Sequence, residues 1–320
     1  MTHVPGPFVH REDPSDIIPT GWTRLEENRF SVSARWPAAH PFFSPVDDGL
    51  RHDPMLVAET VRQATMLLVH AELGVPTEDH FVMWDLHYTA DPDALAVDGL
   101  PREVAAEVTL TALGRGRGAN LRTDVVLTRG GRPLGVGGGT LHRTSDPAYR
   151  RIRGAQLAAL GRPVPLIRGV APRLVGRRRP RDVVLGPGAR AGQWRLRIDT
   201  GHSTLFRRPN DHVPGMVLLE AARQAAVATV GGEPFVPTGM AIAFQRYAEL
   251  DVPCWIEAEI APDARIGTGK GTAPAEGHRS ETSVRISGRQ DGHPVFLCTL
   301  TGHAAEARPA GLGLAERVAS

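Results

Sequence analysis

Residues 54–64 read PMLVAETVRQA, and residues 215–225 read GMVLLEAARQA. Aligned on each other, Met55, Glu59, Arg62, Gln63 and Ala64 coincide with Met216, Glu220, Arg223, Gln224 and Ala225. The intervening positions stay small or apolar. Upstream, Ala39-His40 lines up with Gly201-His202, and His52-x-Pro54 with His212-x-Pro214, each with a one-residue slip. Such slips are what loop insertions between two copies of one module leave behind. An internal repeat of this length governs the whole architecture.

The surroundings repeat as well. An alternating stretch precedes each motif, at 29–36 and at 193–199, which argues for strands buried on one face. After each motif come four further strand-like runs, at 81–88, 103–112, 121–128 and 133–142, then at 238–247, 254–260, 282–289 and 294–302. Gly130-Gly131 and Asp291-Gly292 mark hairpins. The stretch 54–73 is apolar around most of a helical circumference, the pattern of a buried helix. One buried helix wrapped by an antiparallel sheet is the hotdog architecture. Two copies predict an α+β double hotdog: a first repeat over 1–145, a basic Pro- and Arg-rich linker over 146–187, a second repeat over 188–305 and a tail over 306–320.

Composition supports a globular chain of about two domains. It has 320 residues, 41% hydrophobic and 22% charged, with a mean hydropathy of −0.19. No run reaches the ~18 apolar residues of a membrane helix. The N-terminus lacks the basic-then-apolar order of a secretory leader, so the expected compartment is the cytoplasm, with no membrane partner. Cys254 and Cys298 are the only cysteines and stand in no metal-ligand spacing; neither a metal nor a cofactor is expected. Net charge is +2, yet residues 150–181 hold ten arginines and no acid, leaving about −8 on the remainder. Lys270 is the sole lysine, so arginine richness reflects coding bias more than chemistry.

The His212–Ala225 and His52–Ala64 motifs resemble the signature of the A-factor biosynthesis (AfsA-type) γ-butyrolactone synthases. The resemblance runs from Val9-His10-Arg11 to about His303. It implies a tandem hotdog. It also implies joining of a β-ketoacyl group, carried on acyl carrier protein or CoA, to the hydroxyl of dihydroxyacetone phosphate. The ester then closes to a butenolide phosphate on the way to a signalling γ-butyrolactone. The second motif is also similar to the Pro-Gly-x-x-x-x-Glu-Ala helix start of hotdog dehydratases. Their histidine stands eight residues before the proline, where this chain has Phe206, which argues against dehydration.

Acyl transfer to an alcohol needs a base, oxyanion donors and two held substrates. The helix starts, with Gly215 and Met216 at the second, offer free amides. Glu59 and Glu220 are the candidate catalytic carboxylates, since burial raises a carboxyl toward a useful acid or base; the alternative is a structural carboxylate paired with arginine. Arg62 and Arg223 lie three residues on, on the same helix face. Arg223 is expected to anchor the phosphate, facing Glu59 across the pseudo-twofold, or else to form a structural ion pair. Arg207 and Arg208 are second-choice phosphate ligands. Gln63 and Gln224 would orient the carboxylates or satisfy buried backbone. His52 and His212 are candidate substrate contacts, and Asp53 and Asp211 turn or cap residues. Gly135–Thr140 reads as a bulge. With no nucleophile elbow and no cysteine near the motifs in sequence, direct transfer is the simpler mechanism.

Three rival readings remain: a hotdog thioesterase or dehydratase, a non-enzymatic binder of an acyl or butyrolactone ligand, and nucleic-acid binding through the arginine cluster. Two charged Glu–Arg pairs disfavour a pure lipid pocket. The lone aromatic at the edge of the cluster, Tyr149, disfavours nucleic acid. The linker is expected to wrap the acidic halves or to dock an acidic carrier protein. One composite site is expected, in a pseudo-dimeric monomer or a homodimer.

Overall fold

The computed structural model describes residues 4–114, 120–231, 235–261 and 281–304. The predicted tail and Lys270 lie outside the described residues. The first repeat contains β1 (Pro19–Arg24), β2 (Arg29–Arg35), α1 (Met55–Ala71), β3 (His80–Ala90), β4 (Glu103–Leu113), β5 (Asn120–Arg129) and β6 (Arg132–Thr144). A short helix, α2 (Asp146–Arg153), follows. The second contains β7 (Leu185–Pro187), β8 (Gln193–Leu196), α3 (Gly215–Val230), β9 (Phe235–Phe244), β10 (Trp255–Ile260), β11 (Glu281–Gln290) and β12 (His293–Ala304). No described helix is long and apolar enough to cross a membrane.

The twelve strands among the described residues join one antiparallel sheet, ordered β1-β2-β4-β5-β6-β3-β9-β12-β11-β10-β8-β7. The order is the same pattern run outward twice from the central pair. There β3 meets β9, from Asp85↔Ala243 to Thr89↔Gly239. This is the double hotdog that the repeat predicts. The eight predicted strands after the helices are all present, although β9 begins at Phe235 and stops at Phe244, short of 247. β7, which falls in the expected linker, pairs with β8 as β1 pairs with β2. The second repeat therefore starts earlier than 188.

α1 and α3 are buried because the half of the sheet contributed by the same repeat closes over each. In α1 every residue from Met55 to His70 is buried except Arg62. In α3 the run from Met216 to Ala226 is wholly buried. The predicted hairpin turns hold, with Gly130, Gly131, Asp291 and Gly292 all at positive φ, the requirement of type I′ turns. The Gly135–Thr140 stretch is not itself the bulge. It runs as β6, and the register shifts fall at its ends, between Met83 and Asp85 on β3 and between Leu127 and Thr128 on β5. Glycine is needed within the run for closeness: a Cβ on Gly137 would strike Val61 of α1.

Candidate active site

The repeat builds two matching clusters around the motif carboxylates. Glu59, on α1, is fully buried and accepts from Arg11 Nε (2.9 Å), Arg11 Nη2, Arg62 Nε (3.0 Å), Arg62 Nη2 (2.7 Å) and Gln63 Nε2 (2.6 Å). Glu220, on α3, accepts from Arg177 Nε and Nη2 (both 2.7 Å), Arg223 Nε (2.9 Å) and Nη2 (2.7 Å), and Gln224 Nε2 (2.6 Å). Each Gln also reaches the neighbouring backbone. Gln63 donates to Asp16 O and accepts from Ile18 N–H, while Gln224 donates to Asp182 O and accepts from Val184 N–H. Each glutamine thus bonds its own carboxylate and the buried backbone at once.

The clusters interlock. Arg11 Nη1 donates to Thr204 O in the second repeat (2.7 Å), and Arg177 Nη1 donates to Phe42 O in the first (3.0 Å). Beside each cluster a buried histidine ties down its loop. His40 accepts at Nδ1 from the Phe42 and Phe43 amides and meets Asp16 at Nε2; His202 accepts from the Thr204 and Leu205 amides and meets Asp182.

This geometry corrects two expectations. Burial works to raise the Glu59 carboxyl, but Arg11 and Arg62, with hydrogen bonds from Arg62 and Gln63, hold it at about 2. Burial likewise opposes, and Arg177 and Arg223 overcome, at Glu220, also about 2. Each carboxylate already accepts five hydrogen bonds, so neither has a lone pair free to take a proton from substrate. And Arg223 does not face Glu59; it clamps its own Glu220 and is 2% exposed.

Arg11 and Arg177 were missed by the sequence reading, although the signal was present. Val9-His10-Arg11-x-x-Pro14-x-Asp16 recurs as Val175-Gly176-Arg177-x-x-Pro180-x-Asp182. Each copy forms a short turn, Gly6–Val9 or Pro172–Val175, closed by a left-handed residue, His10 or Gly176. Arg62 Nη2 bonds Val9 O (3.1 Å) as Arg223 Nη2 bonds Val175 O (3.2 Å).

The two halves differ where Asp53 stands. Asp53 is wholly buried, accepts the Met55 amide at the start of α1 (3.0 Å) and pairs with Arg177 Nη1 (2.8 Å). The residue at the matching position of the second motif is Pro214, which offers no side-chain cap. At α3 the Gly215 and Met216 amides have no acceptor among the described residues. Cluster two thus sets two arginines against two carboxylates and is neutral; cluster one sets two against Glu59 alone and keeps one positive charge.

The open side of Gly215 faces Phe244. That residue follows Ala243, the partner of Asp85 on β3. Asp85 and Met83 line a narrow cleft under α1 with Arg62, Thr65, Met66 and Thr123, with room for about one water. The hydroxyl of Thr123 there is buried and without a partner. Phe244, beside the α3 start, thus lies next along β9 from the strand partner of a residue that borders the cleft of Arg62. A larger groove of about 1000 Å³ includes Arg190, Arg285, Arg289 and Glu257 but neither motif glutamate.

The remaining candidates are placed as follows. His52 is buried and takes Arg129 Nη2 at Nε2 (3.2 Å); burial, Arg129 and Arg102 lower it to about 4, as suits a neutral structural acceptor. His212 is partly exposed, its Nδ1 2.9 Å from Asp211 and 3.2 Å from the Tyr149 hydroxyl. Asp211 is not a cap: it also takes Arg153 Nε (2.7 Å). Arg153 and Arg177, both from the basic segment, are buried among acids of the second repeat, so the linker wraps the halves in part. Arg207 and Arg208 lie 3.6–3.8 Å from Glu12 and Asp13 near the surface. Cys298, remote from the motifs in sequence, lies on β12 within the buried core that includes α3; burial pushes its thiol up, and that of Cys254 to about 12.

The chain is 43% identical over 301 residues to the 2-oxo-3-(phosphooxy)propyl 3-oxoalkanoate synthase of Streptomyces virginiae, covering 93% of this chain and 96% of that one. It is 46% identical over 306 residues to the protein of that name from Streptomyces coelicolor, covering 94% and 92%. Among solved structures it is similar to the 12:0-ACP thioesterase from Umbellularia californica, at 11% identity and a TM-score of 0.48, covering 87% of this chain and 94% of that one. The A-factor biosynthesis hotdog domain model matches residues 1–145 and again 159–304. The chain belongs to the A-factor biosynthesis hotdog domain family.

Proposed function

We propose that this protein is an acyltransferase that joins a β-ketoacyl thioester to dihydroxyacetone phosphate. The product is the ester that closes to a butenolide and leads to a γ-butyrolactone signal. The observation that carries this reading is identity of 43–46% across more than nine-tenths of the chain to synthases whose name describes that ester. A 2-oxo-3-(phosphooxy)propyl ester of a 3-oxoalkanoate is dihydroxyacetone phosphate acylated on its hydroxyl. Making it requires an activated acyl donor, which acyl carrier protein or CoA supplies.

The site supports a division of labour. The donor carbonyl sits at the start of α3, where the Gly215 and Met216 amides stabilise the developing oxyanion. The phosphate sits at the charged cluster, held by Arg62, the one helix arginine that reaches the cleft, with Arg208 at its mouth. Arginine presents a planar fork to phosphate oxygens. Glu59 and Glu220 act as positioning carboxylates that hold the arginine pairs. Asp53 and Arg177 close the second pseudo-site, leaving one composite site. With both thiols buried, the acyl group passes directly to the hydroxyl and not through a cysteine. The protein acts in the cytoplasm, as a monomer or homodimer, without nucleic acid.

The test is mass spectrometry of purified protein with a β-ketoacyl thioester, with and without dihydroxyacetone phosphate. A phosphorylated ester or butenolide formed only with both substrates is expected. Free β-keto acid appearing equally in both tubes would make the protein a thioesterase. No turnover with either carrier would make it a ligand-binding protein.

A further inference from the structure

We infer that His10 is the general base that takes the proton from the acceptor hydroxyl, with His70 behind it fixing which nitrogen is free to do so. This inference rests on the acyltransferase reading and adds to it the group that the glutamates do not supply.

The argument is a chain of hydrogen bonds. His70 Nδ1 lies 2.7 Å from Val75 O. A carbonyl only accepts, so Nδ1 carries the proton and the Nε2 of neutral His70 is a lone pair. That Nε2 is 3.0 Å from His10 Nε2. His10 must therefore donate from Nε2, which leaves its Nδ1 as a bare acceptor. Nδ1 has no hydrogen-bond partner among the described residues, and His10 is only partly buried while His70 is 4% exposed. An outer imidazole oriented by a buried inner group is the arrangement of a general base.

Position agrees with chemistry. His10 occupies the left-handed turn position (φ 55°) whose counterpart in the second repeat is Gly176. A Cβ on Gly176 would lie 3.4 Å from Arg223 Nη1. By the pseudo-twofold, the His10 side chain stands over Arg62, the proposed phosphate anchor. Phe8 and Phe81 wall the pair, with ring centroids 5.7 Å (Phe8) and 5.4 Å (Phe81) from His70. The second repeat has neither histidine: Gly176 and Gly231 stand where His10 and His70 would fall. The histidine pair is thus present in the first repeat alone, the repeat that carries Arg62.

In the free protein, burial and then Arg62, His70, Arg208 and Arg11 hold His10 neutral, lowering it to about 3. A phosphate dianion bound by Arg62 and Arg208 offsets their share of that lowering, while the burial remains, so His10 is a stronger base with substrate bound than without it. His10 Nδ1 then takes the hydroxyl proton as the oxygen attacks the thioester carbonyl. The C–O bond forms, the C–S bond breaks, and His10 returns the proton to the departing thiolate. Ester and free thiol leave, and His10 ends as it began.

The test is His10→Gly, the residue the second repeat carries in the same backbone conformation, with His10→Asn as a second variant tolerant of that conformation. Ester formation is followed with a β-ketoacyl thioester and dihydroxyacetone phosphate, alongside thermal melting. Both variants should lower kcat on the order of 10²–10⁴-fold, the usual reach of a positioned base. Free imidazole should restore much of the rate to His10→Gly and none to His10→Asn, where the cavity is filled. A His10→Gly kcat within threefold of the parent would overturn the assignment. So would a loss that imidazole does not repair in protein of unchanged melting temperature. Loss on His212→Asn but not on His10→Gly would hand the role to the Asp211–His212 pair. Failure of the parent protein to make ester at all would instead sink the acyltransferase reading.

Discussion

Replacing Glu59 with Gln separates a carboxylate that performs chemistry from one that holds the site together. The side chain accepts five hydrogen bonds, four of them from arginines, and is inaccessible to water. Gln conserves shape but puts an NH2 where one oxygen was, so that an amide donor confronts an arginine donor. Arg11 and Arg62 then keep their charges in a buried setting with no counter-ion. Breaking a buried pair by removing one partner costs about 3–5 kcal/mol. A loss of about 4 kcal/mol in a chain of this length lowers Tm by about 6 °C. Calorimetry on Glu59→Gln should show that shift. Turnover measured well below the new Tm should fall less than tenfold, because the proton is not carried by Glu59. A true base would behave the other way, losing on the order of 10²–10⁴ in kcat while stability barely moved. A Tm within 1 °C of the parent, with a thousandfold loss of kcat, would refute the positioning role and return Glu59 to the chemistry.

The two helix arginines should part company under the same conservative change. Arg62→Lys should raise KM for dihydroxyacetone phosphate about tenfold or more without altering KM for the acyl donor, whereas Arg223→Lys should lower Tm and leave both KM values unchanged; steady-state kinetics with each substrate varied would show it. Stability should fall on acidification in two stages. Folded His10 and His52 are lowered from 6.5 to about 3 and about 4, so only the unfolded chain gains those protons at first, and stability is full above pH 6.5 and lost as pH falls toward those values. Glu59 and Glu220 are lowered from 4.5 to about 2, so their contribution is full above pH 4.5 and lost as pH falls toward 2. Urea midpoints at pH 7.5, 5 and 3.5 should decline in that order, with a smaller first step in His10→Gly. Native protein should resist thiol reagents at both cysteines, and Cys298→Ala should retain turnover within threefold; rapid labelling coupled to loss of activity would reopen a covalent route.

The legible part of this molecule was the part written locally. Glu59, Arg62 and Gln63 sit three and four residues apart on one helical face, so their meeting is a property of the helix and can be read from spacing. The duplication of that spacing gave the double hotdog. Arg11 and Arg177 come from segments 48 and 43 residues away from the glutamates they bind, and no local spacing reports such a contact. The repeat did record it, in Val9-His10-Arg11 against Val175-Gly176-Arg177, but at a larger offset than the helices, hidden by the insertions between. The charge state of the glutamates is hidden from the sequence for the same reason. Burial is visible in an apolar helix, whereas the number of cations converging on one carboxylate is a tertiary fact, and here they outweigh the burial.

Tandem duplication explains why the two clusters diverged. In a homodimer of identical subunits, any residue that stabilises one half-site appears in both. Here Asp53 neutralises the otherwise unmatched charge of Arg177 and supplies the cap of α1, while Pro214 at the matching place leaves α3 uncapped. A buried arginine with its counter-ion is satisfied, whereas the uncapped start of α3 and the surplus charge of the Glu59 cluster are not. That less satisfied arrangement is nonetheless what an anionic substrate and an oxyanion require, because the free amides and the surplus charge are the interactions left for them to complete. Fusion let one repeat settle its electrostatics and the other keep them open, and the asymmetry of His10 against Gly176 follows the same division.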